Sequence, residues 1–256
     1  MKFSCILLVS IASLTLLYGM ASYYRWLVFQ RKRTSHYKLL ANIVDAKDPY
    51  TRSHSDHVAR VAELIYEKLP KAQKHKICKW RLLEAATLHD IGKIGVPDNI
   101  LNKVGELTMQ ERDMLKKHAE LGKIILKPTG DDLLGEIVYH HHERVDGEGY
   151  FNVKSDCIPI ESKIIAVADT LSALCTDRVY RKKKSYDDVM QIVKDAAGTQ
   201  LDEEIVEILC LIPQEDLLFD NIEKQERDYI VKKELTDVND YEQLALKMRR
   251  LKALRQ

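Results

Sequence analysis

The sequence lacks an excess of charge of either sign, because 40 basic side chains stand against 39 acidic ones and the formal net charge is +1. No whole-chain field therefore recruits a nucleic-acid polymer, and any recognition of phosphate has to be local. It also lacks a Cys-x-x-Cys pair. The five cysteines (Cys5, Cys78, Cys157, Cys175 and Cys210) are odd in number and scattered, which argues against a disulfide framework or a thiolate zinc knuckle and suits reduced thiols in a cytosolic domain. Strand-like alternation and internal repeats are missing too, so the soluble part is expected to be all-α. What is present is ordinary for a globular protein: 256 residues, 45% hydrophobic and 31% charged, enough for one sizeable domain with appendages.

One stretch departs from that ordinary composition. Residues 3–24 carry no charged side chain, and as a helix rising about 1.5 Å per residue they are long enough to cross a hydrocarbon core of about 30 Å. Tyr18, Tyr23, Tyr24 and Trp26 sit near the end of the run, as an interfacial aromatic belt would. Arg25, Arg31, Lys32 and Arg33 follow, against Lys2 and the amino terminus before it. By the positive-inside rule this predicts a single-pass anchor in the cytoplasmic (inner) membrane, with everything after Arg33 in the cytoplasm. A cleaved signal peptide is the competing reading, with Gly19-Met20-Ala21 as a small-x-small site. Against it stand the length of the apolar run and the basic cluster behind it.

The rest reads as a series of amphipathic helices. Apolar residues at helical spacing predict helices over His36–Lys47, from near Ser53 to about Leu69, over about Lys79–Asp90, Leu133 to about His142, Glu161–Cys175, Tyr186–Ala197 and Asp202–Leu211. Thr108 and Glu111 form a capping box in front of a further helix that carries His118. The chain thus divides into a membrane anchor with its basic flank (1–33), a helical domain (34–212) and a charged amphipathic tail (213–256). For the tail, packing helices are the plain reading. The sharper one is a homodimerising coiled coil or a surface for a signalling partner.

Of the nine histidines, His36 and His75 lie in polar stretches, and the other seven fall at helix ends or on apolar helix faces beside a carboxylate or another histidine. Taken singly, each reads as a core histidine or a helix cap. Taken together, separate helices offer His54, His89 with Asp90, His118, His141 with His142, and Asp169. The last is a charge inside the apolar run Ile164-Ile165-Ala166-Val167-Ala168, which needs a partner. Such a set looks like inward-pointing ligands of a metal site in a helical core, and imidazole with carboxylate and no thiolate favours iron, manganese or zinc.

These residues sit in segments that resemble a known family. Lys47-Asp48-Pro49-Tyr50-Thr51-x-x-His54-Ser55, Leu88-His89-Asp90-Ile91-Gly92-Lys93-Ile94-Gly95-Val96-Pro97, Lys117-His118-x-x-x-Gly122, His141-His142-Glu143-Arg144-x-Asp146-Gly147-x-Gly149-Tyr150, Ile165-Ala166-Val167-Ala168-Asp169 and Asp177-Arg178-x-Tyr180-Arg181 follow one another as in the HD-GYP branch of the HD-domain metal phosphohydrolases. The resemblance covers about Asp45 to Leu211. It implies an all-α HD core with a helical extension and metal-dependent hydrolysis of cyclic di-GMP to linear pGpG or GMP by a two-metal-activated hydroxide. It further implies two divalent metals, iron or manganese: one on His54, His89, Asp90 and Asp169, the other on Asp90, His118, His141 and His142, with Asp90 bridging. Lys93 would stabilise charge on the phosphoryl oxygens, and Arg144, Tyr150, Arg178 and Arg181 would contact the substrate.

The sequence also departs from the family pattern. Gly-Tyr-Pro is here Gly149-Tyr150-Phe151, the usual acidic residue before Ala173-Leu174 is Ser172, and the Pro between Arg178 and Tyr180 is Val179. Tyr50 stands where trinuclear members carry Glu, which favours two metals. Arg181-Lys182-Lys183-Lys184 reads, as a charge run, as a solvated face. The departures fall near the substrate loop, and they leave two alternatives beside a cyclic di-GMP phosphodiesterase: a divergent nucleotide-binding scaffold module, or a hydrolase acting on another nucleotide.

Overall fold

The apolar periodicity is realised as helices. The computed structural model describes residues 15–25, 36–44, 47, 54–175 and 185–217. Within them α1 spans 15–25 and α2 spans 36–44. They are followed by α3 (His54–Lys68), α4 (Lys79–Leu88), α5 (Met109–Leu126), α6 (Asp132–Tyr139), α7 (Ile160–Cys175), α8 (Tyr186–Asp195) and α9 (Glu203–Cys210). Single helical turns at Lys71–Lys74, Asp98–Leu101 and Gln214–Leu217 link or follow them. Among the described residues there is no strand, and the isolated bridge Ala197–Leu201 is a local turn feature.

Four of the helix starts, those of α5, α6, α8 and α9, are set by side-chain chemistry. The Thr108 hydroxyl accepts from Glu111 N while the Glu111 carboxylate accepts from Thr108 N, the reciprocal bonding that a capping box provides. Asp131, Ser185 and Asp202 accept in the same way from backbone N–H groups in the first turns of α6, α8 and α9.

The core is where these faces meet. Val58, Val61, Ala62 and Ile65 of α3 are fully buried with Leu82, Ala85 and Ala86 of α4 and Ile164, Ile165, Ala168 and Leu171 of α7. Burying each large aliphatic side chain contributes about 1.5–3 kcal/mol. Helix α3 thereby packs on α4, α7 and α9, and α5 packs on α6 and on the 3-10 turn Ile91–Gly95. The Ser162 hydroxyl, fully buried, donates to the Ile137 carbonyl at 2.9 Å and ties α7 to α6.

Two helix ends at the histidine cluster differ from the sequence expectation. Helix α4 stops at Leu88, with His89 as its cap and Asp90 at φ −96°, ψ 7°. Helix α6 stops at Tyr139 rather than His142, with His140 already out of helical geometry at φ −97°, ψ 6°. The reason is geometric: consecutive helical residues point about 100° apart, so His89 with Asp90, or His141 with His142, converge on one site only where the helix ends.

Helix α1 exposes Leu16, Leu17, Tyr18, Met20, Tyr23 and Tyr24. No helix among the described residues is long and apolar enough to cross a membrane. The expected span over 3–24 and its basic flank lie largely outside the described residues, as do the tail beyond Leu217 and both Arg178 and Arg181.

Candidate metal centre

Five helical segments deliver the expected side chains to one place. His54 comes from the first turn of α3, His89 and Asp90 from the end of α4, His118 from α5, His141 and His142 from the turn after α6, and Asp169 from α7. The rings form a continuous set: His54 to His89 at 5.4 Å between centroids, His89 to His141 at 5.2 Å, His118 to His141 at 5.3 Å, and His118 to His142 at 5.1 Å. Asp169 Oδ1 lies 3.1 Å from His54 Nε2. His54, His89, Asp90, His118 and His141 are buried, while His142 and Asp169 are partly open.

Local hydrogen bonds decide which nitrogen of each ring faces the cluster. His89, His118 and His141 each donate Nδ1–H to the carbonyl three residues earlier, of Ala86 (2.8 Å), Leu115 (2.7 Å) and Val138 (2.5 Å). A neutral imidazole that donates from Nδ1 presents an Nε2 lone pair, the form in which histidine ligates a metal. His89 Nε2 is buried and makes no hydrogen bond, being 3.3 Å from Asp90 Oδ2 without hydrogen-bond alignment. His118 Nε2 and His141 Nε2 face each other at 3.4 Å, an arrangement of lone pairs that a cation reconciles.

The two oxygens of Asp90 point in different directions. Oδ2 is 3.3 Å from His89 Nε2 and 2.6 Å from Lys93 Nζ, while Oδ1 is 3.4 Å from His118 Nε2. Two groups of donors follow, each with its ligand atoms within 4.8 Å of one another: His54, His89 and Asp90, and Asp90, His118, His141 and His142. Asp90 belongs to both. The all-nitrogen-and-oxygen, buried, lone-pair-inward character of the set fits divalent cations such as iron, manganese or zinc.

Electrostatics agree with the donor geometry. Burial would raise the Asp90 carboxyl, but Lys93, His89 and His118 override it and hold the group well below the usual carboxylate range. Burial would likewise raise Asp169, and His54 brings it far down. Burial pushes His142 down to about 3 and His141 well below its ordinary value, with neighbouring imidazoles adding to both. His89 goes the other way: burial lowers it, but Asp90 wins and raises it to about 9. In the metal-free state that proton and a cation compete for the same lone pair.

Beside the cluster opens a cavity of about 480 Å³, lined by Lys116, His142, Arg144, Tyr150, Asp169 and Thr170 among others, a size typical of small-molecule sites. The Tyr150 ring lies 4.5 Å from that of His142, with Lys116 Nζ 5.5 Å above it. Burial, then Asp90 and Asp169, push the Tyr150 hydroxyl up to about 12, so it stays protonated and can donate. Arg144, expected to contact substrate, lines this cavity and pairs with Asp146, with Nε 3.0 Å from Oδ1 and Nη2 2.5 Å from Oδ2. This pairing is at the cavity rim, and it holds Asp146 down to about 2.

Three functional-looking residues had no role assigned from sequence. Glu143, buried, accepts from Phe151 N (2.8 Å) and Val153 N (3.0 Å) and so shapes the loop that presents Tyr150. No sequence signal marked this role, because its partners are backbone groups. His57 and Ser172 form a buried hydrogen-bonded pair beside His54. The three-residue spacing from His54, which puts His57 on the same face of α3, was the available signal.

A model of the HD domain family matches residues 38–205, and the chain belongs to that family. Within it, the order of the motifs and the character of its relatives place it in the HD-GYP branch. It is 32% identical over 191 residues to a probable cyclic di-GMP phosphodiesterase of Vibrio cholerae, covering 68% of this chain and 43% of the relative. It is 33% identical over 182 residues to a cyclic di-GMP phosphodiesterase of Thermotoga maritima (70% and 49%). To a 3'3'-cGAMP-specific phosphodiesterase of Vibrio cholerae it is 38% identical over 179 residues (68% and 38%). The chain thus spans less than half the length of each of these relatives.

Proposed function

We propose that this protein is a metal-dependent phosphodiesterase that hydrolyses cyclic di-GMP to linear pGpG, GMP or both. The observation that carries the reading is Asp90, whose two oxygens face two separate groups of buried histidine nitrogens, as a carboxylate shared by two cations would. The relatives' names support the substrate class.

Two divalent cations, when bound, supply an acidified water as nucleophile and positive charge for the phosphate. His54, His89, Asp90 and Asp169 would hold one and Asp90, His118, His141 and His142 the other. The protein's own residues do the rest. Lys93 Nζ, 2.6 Å from Asp90 Oδ2, brings a cationic donor to the rim of the cluster, where charge on phosphoryl oxygens grows as the P–O bond breaks. Tyr150 offers an aromatic face for a base and a protonated hydroxyl. Lys116 adds local positive charge to the cavity, which the near-neutral chain as a whole does not. Arg178 and Arg181 remain substrate contacts in this proposal.

The proposal includes the surroundings of the domain. Residues 3–24 anchor the chain in the cytoplasmic membrane, 34–212 form the catalytic domain on the cytoplasmic side, and 213–256 form a tail for self-association or a partner. The uncharged run, the basic residues after it and the exposed apolar face of α1 support the anchor. Membrane fractionation before and after deleting 1–33 tests it.

A second reading is a different cyclic dinucleotide, favoured by the 38% identity to a relative named as specific for 3'3'-cGAMP. A third, a nucleotide-binding scaffold, is favoured by Phe151 and Ser172. Full-length protein loaded with manganese or iron and offered cyclic di-GMP and 3'3'-cGAMP separates them. Cleavage of cyclic di-GMP is expected. Preferential cleavage of cGAMP supports the second reading, and binding without product supports the third.

A further inference from the structure

The buried pair beside His54 leads to an inference that rests on the metal-site reading above and adds residues to it. His57 is fully buried, and its Nε2 lies 3.2 Å from the Leu217 carbonyl oxygen. A carbonyl only accepts, so His57 Nε2 carries a proton and donates. Burial keeps the ring neutral, pulling it down to about 4, and a neutral ring protonated on Nε2 has a bare Nδ1. That Nδ1 lies 2.9 Å from Ser172 Oγ, so the serine hydroxyl donates to it. The hydroxyl has one proton, which this bond uses, so towards His54 Nδ1, 2.8 Å away, Ser172 Oγ can only accept. His54 is thereby biased towards a proton on Nδ1 and a lone pair on Nε2, 3.1 Å from Asp169 Oδ1, two acceptors that a bound cation would reconcile. Without the cation, a proton on Nε2 bonds Asp169 instead.

We propose that Ser172 and His57 are positioning residues that fix the tautomer and orientation of His54 for metal ligation through a one-directional chain ending on the Leu217 carbonyl. His89, His118 and His141 achieve the same result with a carbonyl three residues back on their own segment. His54 differs, because its Nδ1 lies against the Ser172 hydroxyl of another helix. The chain supplies from α7 and from the turn Gln214–Leu217 what the local backbone supplies elsewhere. This gives the Ser172 departure from the family pattern a physical role: a neutral hydroxyl both accepts and donates, which an ionised carboxylate at that position would not do.

The chain touches one side of the cluster only. Its loss should weaken the cation held by His54 and leave the one held by His118, His141 and His142 in place. Outer hydrogen-bond partners of metal ligands are typically worth about 10–100-fold in metal affinity. The test is manganese(II) titration of chelator-stripped full-length protein, following free metal by electron paramagnetic resonance, on wild type, Ser172→Ala, His57→Phe and the double variant. Two binding steps are expected in wild type. In each single variant one step should weaken by about 10–100-fold while the other is unchanged, and the double variant should be no weaker than the worse single variant, since both act through one nitrogen. Two unchanged steps in Ser172→Ala, equal weakening of both steps, or additive losses would overturn the positioning role while leaving the metal site standing. A wild type that takes up no manganese would overturn both.

Discussion

Gly92 lies against the backbone of α5 so closely that a Cβ at this position would overlap the His118 carbonyl oxygen and come within 2.6 Å of Gly122 N. Backbone lies on both sides of the contact, so it cannot be relieved by a rotamer change. The turn that carries Lys93 is therefore held at a fixed distance from the helix that carries His118, and Asp90, between them, reaches both. Gly92→Ala should force the two segments apart, costing about 1–3 kcal/mol as overpacking does and lowering metal occupancy. Thermal unfolding together with metal analysis checks this; unchanged melting and full occupancy would show the contact to be slack.

Lys93 separates chemistry from metal holding. Its ammonium pairs with Asp90 but belongs to neither group of donor atoms. Lys93→Ala should retain metal and lose about 10²–10³ in kcat, the scale seen when a charge-stabilising donor is removed. Single-turnover kinetics on protein of verified metal content is the measurement, and undiminished turnover would remove Lys93 from the mechanism.

Glu143 should act on substrate binding through the loop. Both its oxygens accept from the backbone, of Phe151 and Val153, and Glu143→Gln replaces one acceptor with a donor aimed at an N–H. A buried group left without its partner costs about 1–3 kcal/mol. The expected result is a raised KM and faster proteolysis within 147–153 at nearly unchanged metal affinity.

The metal-free protein should be most stable near pH 6.5. His57 and His142, ordinarily at 6.5, are lowered to about 4 and about 3, so below pH 6.5 the unfolded chain binds protons that the folded one does not. Stability then falls with pH, at up to about 1.4 kcal/mol per unit for each group. His89 is raised to about 9; its contribution is complete below pH 6.5 and is lost as pH rises through 9. Melting temperature against pH in the presence of a chelator tests both limbs, and His57→Phe should flatten the acidic one.

Much of this was legible in the sequence because it is periodic or chemically distinctive. Helical spacing marked α3, α4 and α7, the Thr108–Glu111 box marked α5, and the histidines with Asp90 and Asp169 marked the cluster they form. Helix ends were not legible: His89 and His141 leave their helices where convergence on the site outweighs continued helical bonding, which is a tertiary effect. Glu143 was invisible because it serves backbone amides, and the pairing of Arg144 with Asp146 was invisible because it depends on the loop's path. The relay through Ser172 joins residues 115 apart in sequence, a contact that no local pattern encodes.

The central claim is that Asp90 joins two metals into one hydrolytic site. Metal content and product analysis on full-length wild type and Asp90→Asn test it together. The account predicts close to two equivalents of metal and conversion of cyclic di-GMP to pGpG or GMP in wild type, and loss of both metal and product in Asp90→Asn. An Asp90→Asn protein that keeps two metals and still cleaves the substrate would contradict it.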